Sequence, residues 1–323
     1  MKPIGASLSR RLAAGFVAAL LAASEGQATE GGSVAGPLGG ADLRAALAPP
    51  PGNYLLLLPL GGRVVDFRDN DGKRVPLRYS GGSMGMGLGL YRVFEGTVLG
   101  GRIGAGVVAV AGEACLRVEE LQRSQCRSGF GDTYLETFWS RPIGELGLAG
   151  PPADDPRRQY IPYGLTVGLA LGAVLPTGAY RSTDLVPIGL NTPVLAPSVS
   201  ATWTSPPLLA DGTEVSARLF YNIHGRNRAT DYRAGELLVL DWAVTERMGA
   251  FQFGPTGSYA RQMRPDRAAG TNGPSTEVLS LGAVAALDLP QLGMFVSAKA
   301  LRDVEAAYRL RVDRAILRIG IGF

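Results

Sequence analysis

The chain has 323 residues, a formal net charge of +4, a pI near 9.2 and a hydrophobic content of 46%. The positive charge is nearly all arginine, with lysine only at Lys2, Lys73 and Lys299, and no dense basic tract or aromatic-interleaved basic face accompanies it, so a nucleic-acid partner is excluded. Beyond the amino end no apolar run reaches the roughly 18 residues of a helical span, whereas 45 glycines and 22 prolines punctuate dispersed apolar residues, which predicts strands and turns rather than membrane helices.

At the amino end, Lys2, Arg10 and Arg11 precede an apolar run from Leu12 to Ala23 and the small-residue exit Gly26-Gln27-Ala28. A charged start, an apolar stretch too short to span and a small-residue exit describe a secretory signal peptide over 1–28, cleaved after Ala28. Residues 29–52, rich in Gly, Ala and Pro and ending in Pro49-Pro50-Pro51-Gly52, read as a periplasmic lead-in without a core of its own.

Residues 53–323 read as one β-domain. Twelve alternating segments are expected, near 54–67, 86–94, 98–112, 130–140, 160–175, 193–204, 214–224, 235–245, 250–263, 276–287, 293–301 and 313–323. The clearest puts Leu165, Val167, Leu169, Leu171, Ala173 and Leu175 on one face and Thr166, Gly168, Ala170 and Gly172 on the other. The segment through Leu238, Leu240, Trp242 and Val244 opposes Val239, Asp241, Ala243 and Thr245 in the same way, and Trp242 and Tyr221 suit an interfacial girdle. Short connections (95–97, 205–213, 246–249, 288–292) alternate with long ones (68–85, 113–129, 176–192, 225–234, 264–275, 302–312); the exception is the long, Pro-rich 141–159. Lipid-facing alternation, loop alternation and an even count predict an all-β fold, a closed antiparallel transmembrane β-barrel of about twelve strands in the bacterial outer membrane, both ends periplasmic. Twelve strands imply a narrow or gated passage.

Within this frame, Cys115 and Cys126 are expected to form a local disulfide in an exported chain. No metal or cofactor site is expected: the cysteines lack metal-ligand spacing, and Asp69 and Asp71 lie in a turn that has Arg74 and Ser80 where a calcium loop needs glycine and glutamate. The one histidine, His224, has Asn222 two residues before it and Arg226 two after, so a short-range His-x-Ser pair is absent; only a cross-strand serine such as Ser216 or Ser258 could serve it. Asp154 and Asp155 lie in the Pro-rich connection with nothing to hold them as an acid and base pair. The inward partners of the apolar faces give pore-lining candidates: Arg102, Thr166, Arg218, Phe220, Asn222, Asp241, Thr256, Phe295, Ser297, Lys299 and Arg318.

Several stretches together resemble the outer-membrane proteins associated with the meta-pathway of phenol degradation. They are Pro49-Pro50-Pro51-Gly52-Asn53-Tyr54, Asp66-Phe67-Arg68-Asp69-Asn70-Asp71-Gly72, Gly129-Phe130-Gly131-Asp132, Leu175-Pro176-Thr177-Gly178-Ala179-Tyr180, Tyr221-Asn222 through Asn227, Thr230-Asp231-Tyr232-Arg233-Ala234-Gly235-Glu236 and Gly257-Ser258-Tyr259-Ala260-Arg261-Gln262. They are colinear over nearly the whole mature chain and sit at strand ends and turns, as barrel-building marks do. Phe130, where a small residue is usual, and Ala234-Gly235, where Ser-Gly is usual, depart from the pattern. The alternating final strand ending in Phe323 is similar to the endings of outer-membrane barrels, where the terminal aromatic is the signal read by the assembly machinery. The resemblance implies a passive channel or binding protein for small hydrophobic or aromatic compounds, with outer-membrane lipid and lipopolysaccharide as surroundings and no enzymatic activity. A lipid hydrolase using His224 and a purely structural envelope barrel are the alternatives.

Overall fold

The computed structural model describes residues 37–38, 40–144, 163–206, 209–268, 271–272 and 275–323. Fifteen strands run in chain order: β1 (Gly52–Arg68), β2 (Tyr79–Val93), β3 (Arg102–Val118), β4 (Arg123–Phe130), β5 (Thr133–Gly144), β6 (Gly164–Leu175), β7 (Val194–Thr204), β8 (Thr213–His224), β9 (Leu237–Met248), β10 (Phe251–Gln262), β11 (Arg267–Ala268), β12 (Thr271–Asn272), β13 (Glu277–Leu289), β14 (Met294–Ala307) and β15 (Arg309–Gly322). β11 and β12 form a separate two-residue pair, and the others make one antiparallel barrel. β4 and β5 are successive halves of a single stave: β4 pairs with the outer half of β3, β5 with its inner half, and the chain breaks between them at Gly131-Asp132. Counted so, the barrel has twelve staves.

Closure is between the first and last strands. Tyr54 pairs with Gly322, and Asn53 and Phe323 exchange backbone hydrogen bonds, Phe323 N to Asn53 O at 2.9 Å and Asn53 N to Phe323 O at 3.3 Å. β1 and β15 are thereby each paired on both sides, the condition for crossing lipid with strands. Alternation sets the faces: Leu169, Leu171, Val199, Leu281 and the β2 residues Met84, Met86, Leu88 and Leu90 are exposed on the outside. Trp242 lies flat over Gly257 on that outer face. At the hairpin between β9 and β10, Gly249 takes φ +59°, a left-handed value that a two-residue turn needs and glycine supplies without strain.

All twelve expected segments become staves, but several continue further outward than the apolar pattern does. β2 begins at Tyr79 rather than near 86, β3 runs on to Val118, and the expected loop 302–312 is almost wholly strand, with Tyr308 alone between β14 and β15. Arg302, Asp303, Glu305, Arg309 and Arg311 occupy these extensions. Past the hydrocarbon layer the ladder still gains backbone hydrogen bonds, while apolar alternation, the signal by which strands are recognised, is no longer needed. The connection at 141–159, the signal peptide and Asp154-Asp155 lie largely outside the described residues.

The stretch expected as a periplasmic lead-in takes a different course. Its described residues enter the barrel and run along the interior wall, burying Asp42, Leu43 and Ala46. Two apolar clusters result, Phe220, Leu237, Val239, Ala260 and Val278 against Leu38 and Ala41, and Leu43 with Ala243, Val284, Ala286 and Phe295. The segment has no periodicity because the wall supplies its partners.

Candidate functional site

Strand register divides the interior into two unlike walls. On one side, β1 points Leu56, Leu58 and Leu60 inward, opposite Gly89, Gly87 and Gly85 of β2, and β3 adds Val108 and Val110. A Cβ on Gly87 would stand 2.9 Å from the Cβ of Leu58, and one on Gly89 3.1 Å from that of Leu56. The glycines of the Gly-Met-Gly-Leu-Gly-Leu run therefore make room for the leucines of the neighbouring strand, while Met86, Leu88 and Leu90 face lipid. Tyr134, Phe138, Ala170, Val174, Ile316 and Gly320 continue this wall.

The other side, β7 to β10 with β13 and β14, is polar, and the amino-terminal segment is fixed to it. Asp241 Oδ2 accepts the backbone N–H groups of both Gly40 and Ala41 at 3.0 Å. Glu214 accepts from Arg44 N at 2.9 Å, Ser216 Oγ from Ala45 N at 2.8 Å, Thr202 Oγ1 from Ala46 N at 3.0 Å and Ser140 Oγ from Ala48 N at 3.3 Å. Side chains from four staves thus satisfy backbone donors that have no sheet of their own. The segment's charged side chains are held as well. Asp42 pairs with Lys299 and accepts from Thr256. Arg44 grips Asp288 with two bonds of 2.7 and 2.6 Å, and Arg247 reaches the same carboxylate at 2.8 Å. Gln252 links Arg247 to Glu214.

Between the apolar wall and the segment remains a cavity of about 1500 Å³, lined by residues of both. Of the pore-lining candidates, Arg102, Arg218, Phe220, Phe295, Ser297, Lys299 and Arg318 border this cavity, and Thr166, Asn222, Asp241 and Thr256 do not. Arg102 lies at the inner rim, donating to the carbonyls of Ala48 and Pro49 at 3.3 and 3.4 Å. Thr166 is buried near that rim opposite Thr202. Arg218 pairs with Glu136, donates to Ser198 and stacks over the Phe220 ring at 4.5 Å. Asn222 is fully buried, its amide oxygen and nitrogen both without a hydrogen-bond partner among the described residues. Asp241, Thr256 and Lys299 anchor the segment; Ser297 stands opposite Arg318, beside Phe295.

Sequence reasoning missed the segment residues Asp42 and Arg44, the wall carboxylates Glu136, Glu214 and Asp288, and the leucine wall. The leucines had a signal: Tyr54 to Leu60 is apolar on both faces, which a strand wet on one side would not be. The segment had none, since its partners are distant in sequence.

Other polar groups of the outer mouth serve as latches. Asp132 accepts from Gly178 N at 2.9 Å through Oδ1 and from Leu190 N at 2.8 Å through Oδ2, holding the 176–193 loop at the break in the fourth stave. Arg127 of β4 meets Asp184 of the same loop at 2.8 Å, and the guanidinium holds that carboxyl below its ordinary range. Asp266 gathers Tyr232, Gln262 and the Gly235 N–H. His224 faces inward at the outer end of β8, Nδ1 2.7 Å from the Gly235 carbonyl. Ser216 on its own strand and Ser258, in register with Asp241 and Arg218, lie roughly 20 Å or more away, so neither serves it as a nucleophile. Asp69 Oδ1 accepts from Asp71 N and Lys73 N, a closed Asx turn, and no metal-ligand cluster is present among the described residues. Cys115 and Cys126 are disulfide-bonded across β3 and β4.

A family model described as "Putative MetA-pathway of phenol degradation" matches residues 66–319. None of the curated proteins matches the chain. Among solved structures, an outer-membrane channel of Pseudomonas putida F1 superposes with a TM-score of 0.70 at 13% identity, covering 90% of this chain and all of that one. The β domain of the Bordetella autotransporter BrkA gives a TM-score of 0.47 at 16% identity, covering 84% of this chain and 99% of that one. The first of these likenesses is one of fold, the outer-membrane barrel.

Proposed function

We propose, from the premise that this chain belongs to the phenol-degradation family whose model it matches, that it is a passive outer-membrane channel for small hydrophobic or aromatic compounds. The observation that carries the reading is the two-faced lumen. One wall is apolar and lines a cavity of about 1500 Å³, while the polar wall is covered by the amino-terminal segment. A solute that leaves water for such a cavity gains roughly 25 cal/mol per Å² of apolar surface buried, whereas hydrated ions find the passage narrowed by the segment at 40–51. Arg102, Arg218, Phe220, Phe295, Lys299 and Arg318 form the polar and aromatic edge of the path, and Thr166, Asn222 and Asp241 lie behind the segment. Export by the signal peptide, cleavage after Ala28, engagement of the assembly machinery through Phe323 and contact of the outer arginines with lipopolysaccharide complete the reading. The separation of His224 from both serines speaks against the hydrolase.

The test is uptake into vesicles carrying the refolded mature chain, compared with a chain beginning at Pro49. Small aromatic solutes should enter with either protein, and ion conductance should rise several-fold when the segment is removed. Impermeability of both proteins to aromatic solutes overturns the proposal.

A further inference from the structure

Most charges in the inner half of the lumen are accounted for. Asp42 is paired with Lys299, Asp288 with Arg44 and Arg247, and Glu136 with Arg218. Arg318 is the exception. It lines the cavity, yet no described carboxylate lies within 4 Å of it and no described group shares a hydrogen bond with it. Its guanidinium instead sits over the Phe295 ring, 5.1 Å from the centroid, and the Arg44 guanidinium approaches the same ring at 4.4 Å. Along its own strand its inward neighbours are Ile316 and Gly320, which pair with Leu60 and Leu56 of the leucine wall. A fork of donors with no hydrogen-bonded carboxylate among the described residues, held over an aromatic ring beside an apolar surface, is the geometry that receives a carboxylate. Water alone solvates such a group poorly next to leucines, so an anionic partner gains more here than at an open surface.

We propose that Arg318, supported by Phe295, is an anion anchor, and that the cavity takes an amphipathic carboxylate whose apolar body lies along Leu56, Leu58 and Leu60. The inference rests on the channel reading and narrows its substrate class to weak organic acids with one apolar end. Phe295 holds the guanidinium in place, and the glycines of β2 leave the leucine surface shallow enough for an aromatic ring or a short alkyl chain to lie flat.

Titration calorimetry on the full mature barrel in a non-ionic detergent tests it, with 4-propylbenzoate and its neutral amide as probes. The wild type should bind the carboxylate more tightly than the amide. Arg318→Gln should weaken the carboxylate about tenfold while leaving the amide unchanged, and Arg318→Lys should recover part of the loss. Heat-dependent migration of each variant in gels checks that the barrel has formed. Equal binding of acid and amide by the wild type, or a carboxylate preference that survives Arg318→Gln, overturns the anchor while leaving the channel intact. Binding of neither probe, together with failed vesicle uptake, overturns both.

Discussion

Asp132 shows how a family motif without chemistry of its own comes to matter. Its two carboxylate oxygens each take a backbone donor from the opposite end of the 176–193 loop, at Gly178 and Leu190. The glycines are there because the backbones touch: a Cβ on Gly178 would lie 2.7 Å from Gly189 Cα and 2.8 Å from Asp132 N. Two stretches that look like separate turn signals, Gly129 to Asp132 and Leu175 to Tyr180, are thus the two halves of one contact. Asp132→Ala leaves both N–H groups without their charged acceptor and should cost on the order of 2 kcal/mol, read as a lower urea midpoint of the refolded barrel.

At the scale of elements, β3 and β4 form a ribbon that rises past β5 and is stitched by the Cys115–Cys126 disulfide. The ribbon is tied to the 176–193 loop by the Arg127–Asp184 pair and by Gln125, which donates to Asp184 at 3.2 Å and accepts from Leu185 N at 2.5 Å. Because Arg127 lowers the Asp184 pKa on folding, the stabilisation is complete above the ordinary carboxylate value of about 4 and is lost as pH falls through the lowered value. The protection of the 183–186 amides, taken against intrinsic exchange at each pH, should therefore be high at neutral pH and fall once pH drops below the ordinary carboxylate value, toward that of an Asp184→Asn control that is already low at neutral pH. Equal protection of both proteins across the range contradicts the latch.

Over the whole molecule, closure and occlusion are separate. The ladder between β1 and β15 closes the barrel with no contribution from residues 40–48, whereas those residues satisfy buried carboxylates and hydroxyls of the polar wall. A chain beginning at Pro49 should still migrate as a folded barrel, but its thermal transition should fall. It exposes Lys299 and Asp288 to water without Asp42 and Arg44, and each lost hydrogen bond is worth about 1 kcal/mol net. An unchanged transition temperature shows the segment to be loosely held.

The sequence by itself determined the barrel. Period-two alternation selects one face for lipid and the other for the interior, and a one-residue slip would invert every side chain, so Leu238-Val239-Leu240-Asp241 or Ile316 to Phe323 can be oriented without coordinates. That rule also aimed Arg218, Asp241, Lys299 and Arg318 inward. It could not say what they meet there. Which interior charges cancel, that Asp42 and Arg44 arrive from a Gly- and Pro-rich stretch to neutralise Lys299 and Asp288, and that Arg318 is left facing leucines, were decided only by the tertiary structure. Alternation is local in the chain. Pairing across a lumen joins residues some two hundred positions apart, and nothing in either neighbourhood records the distance between them.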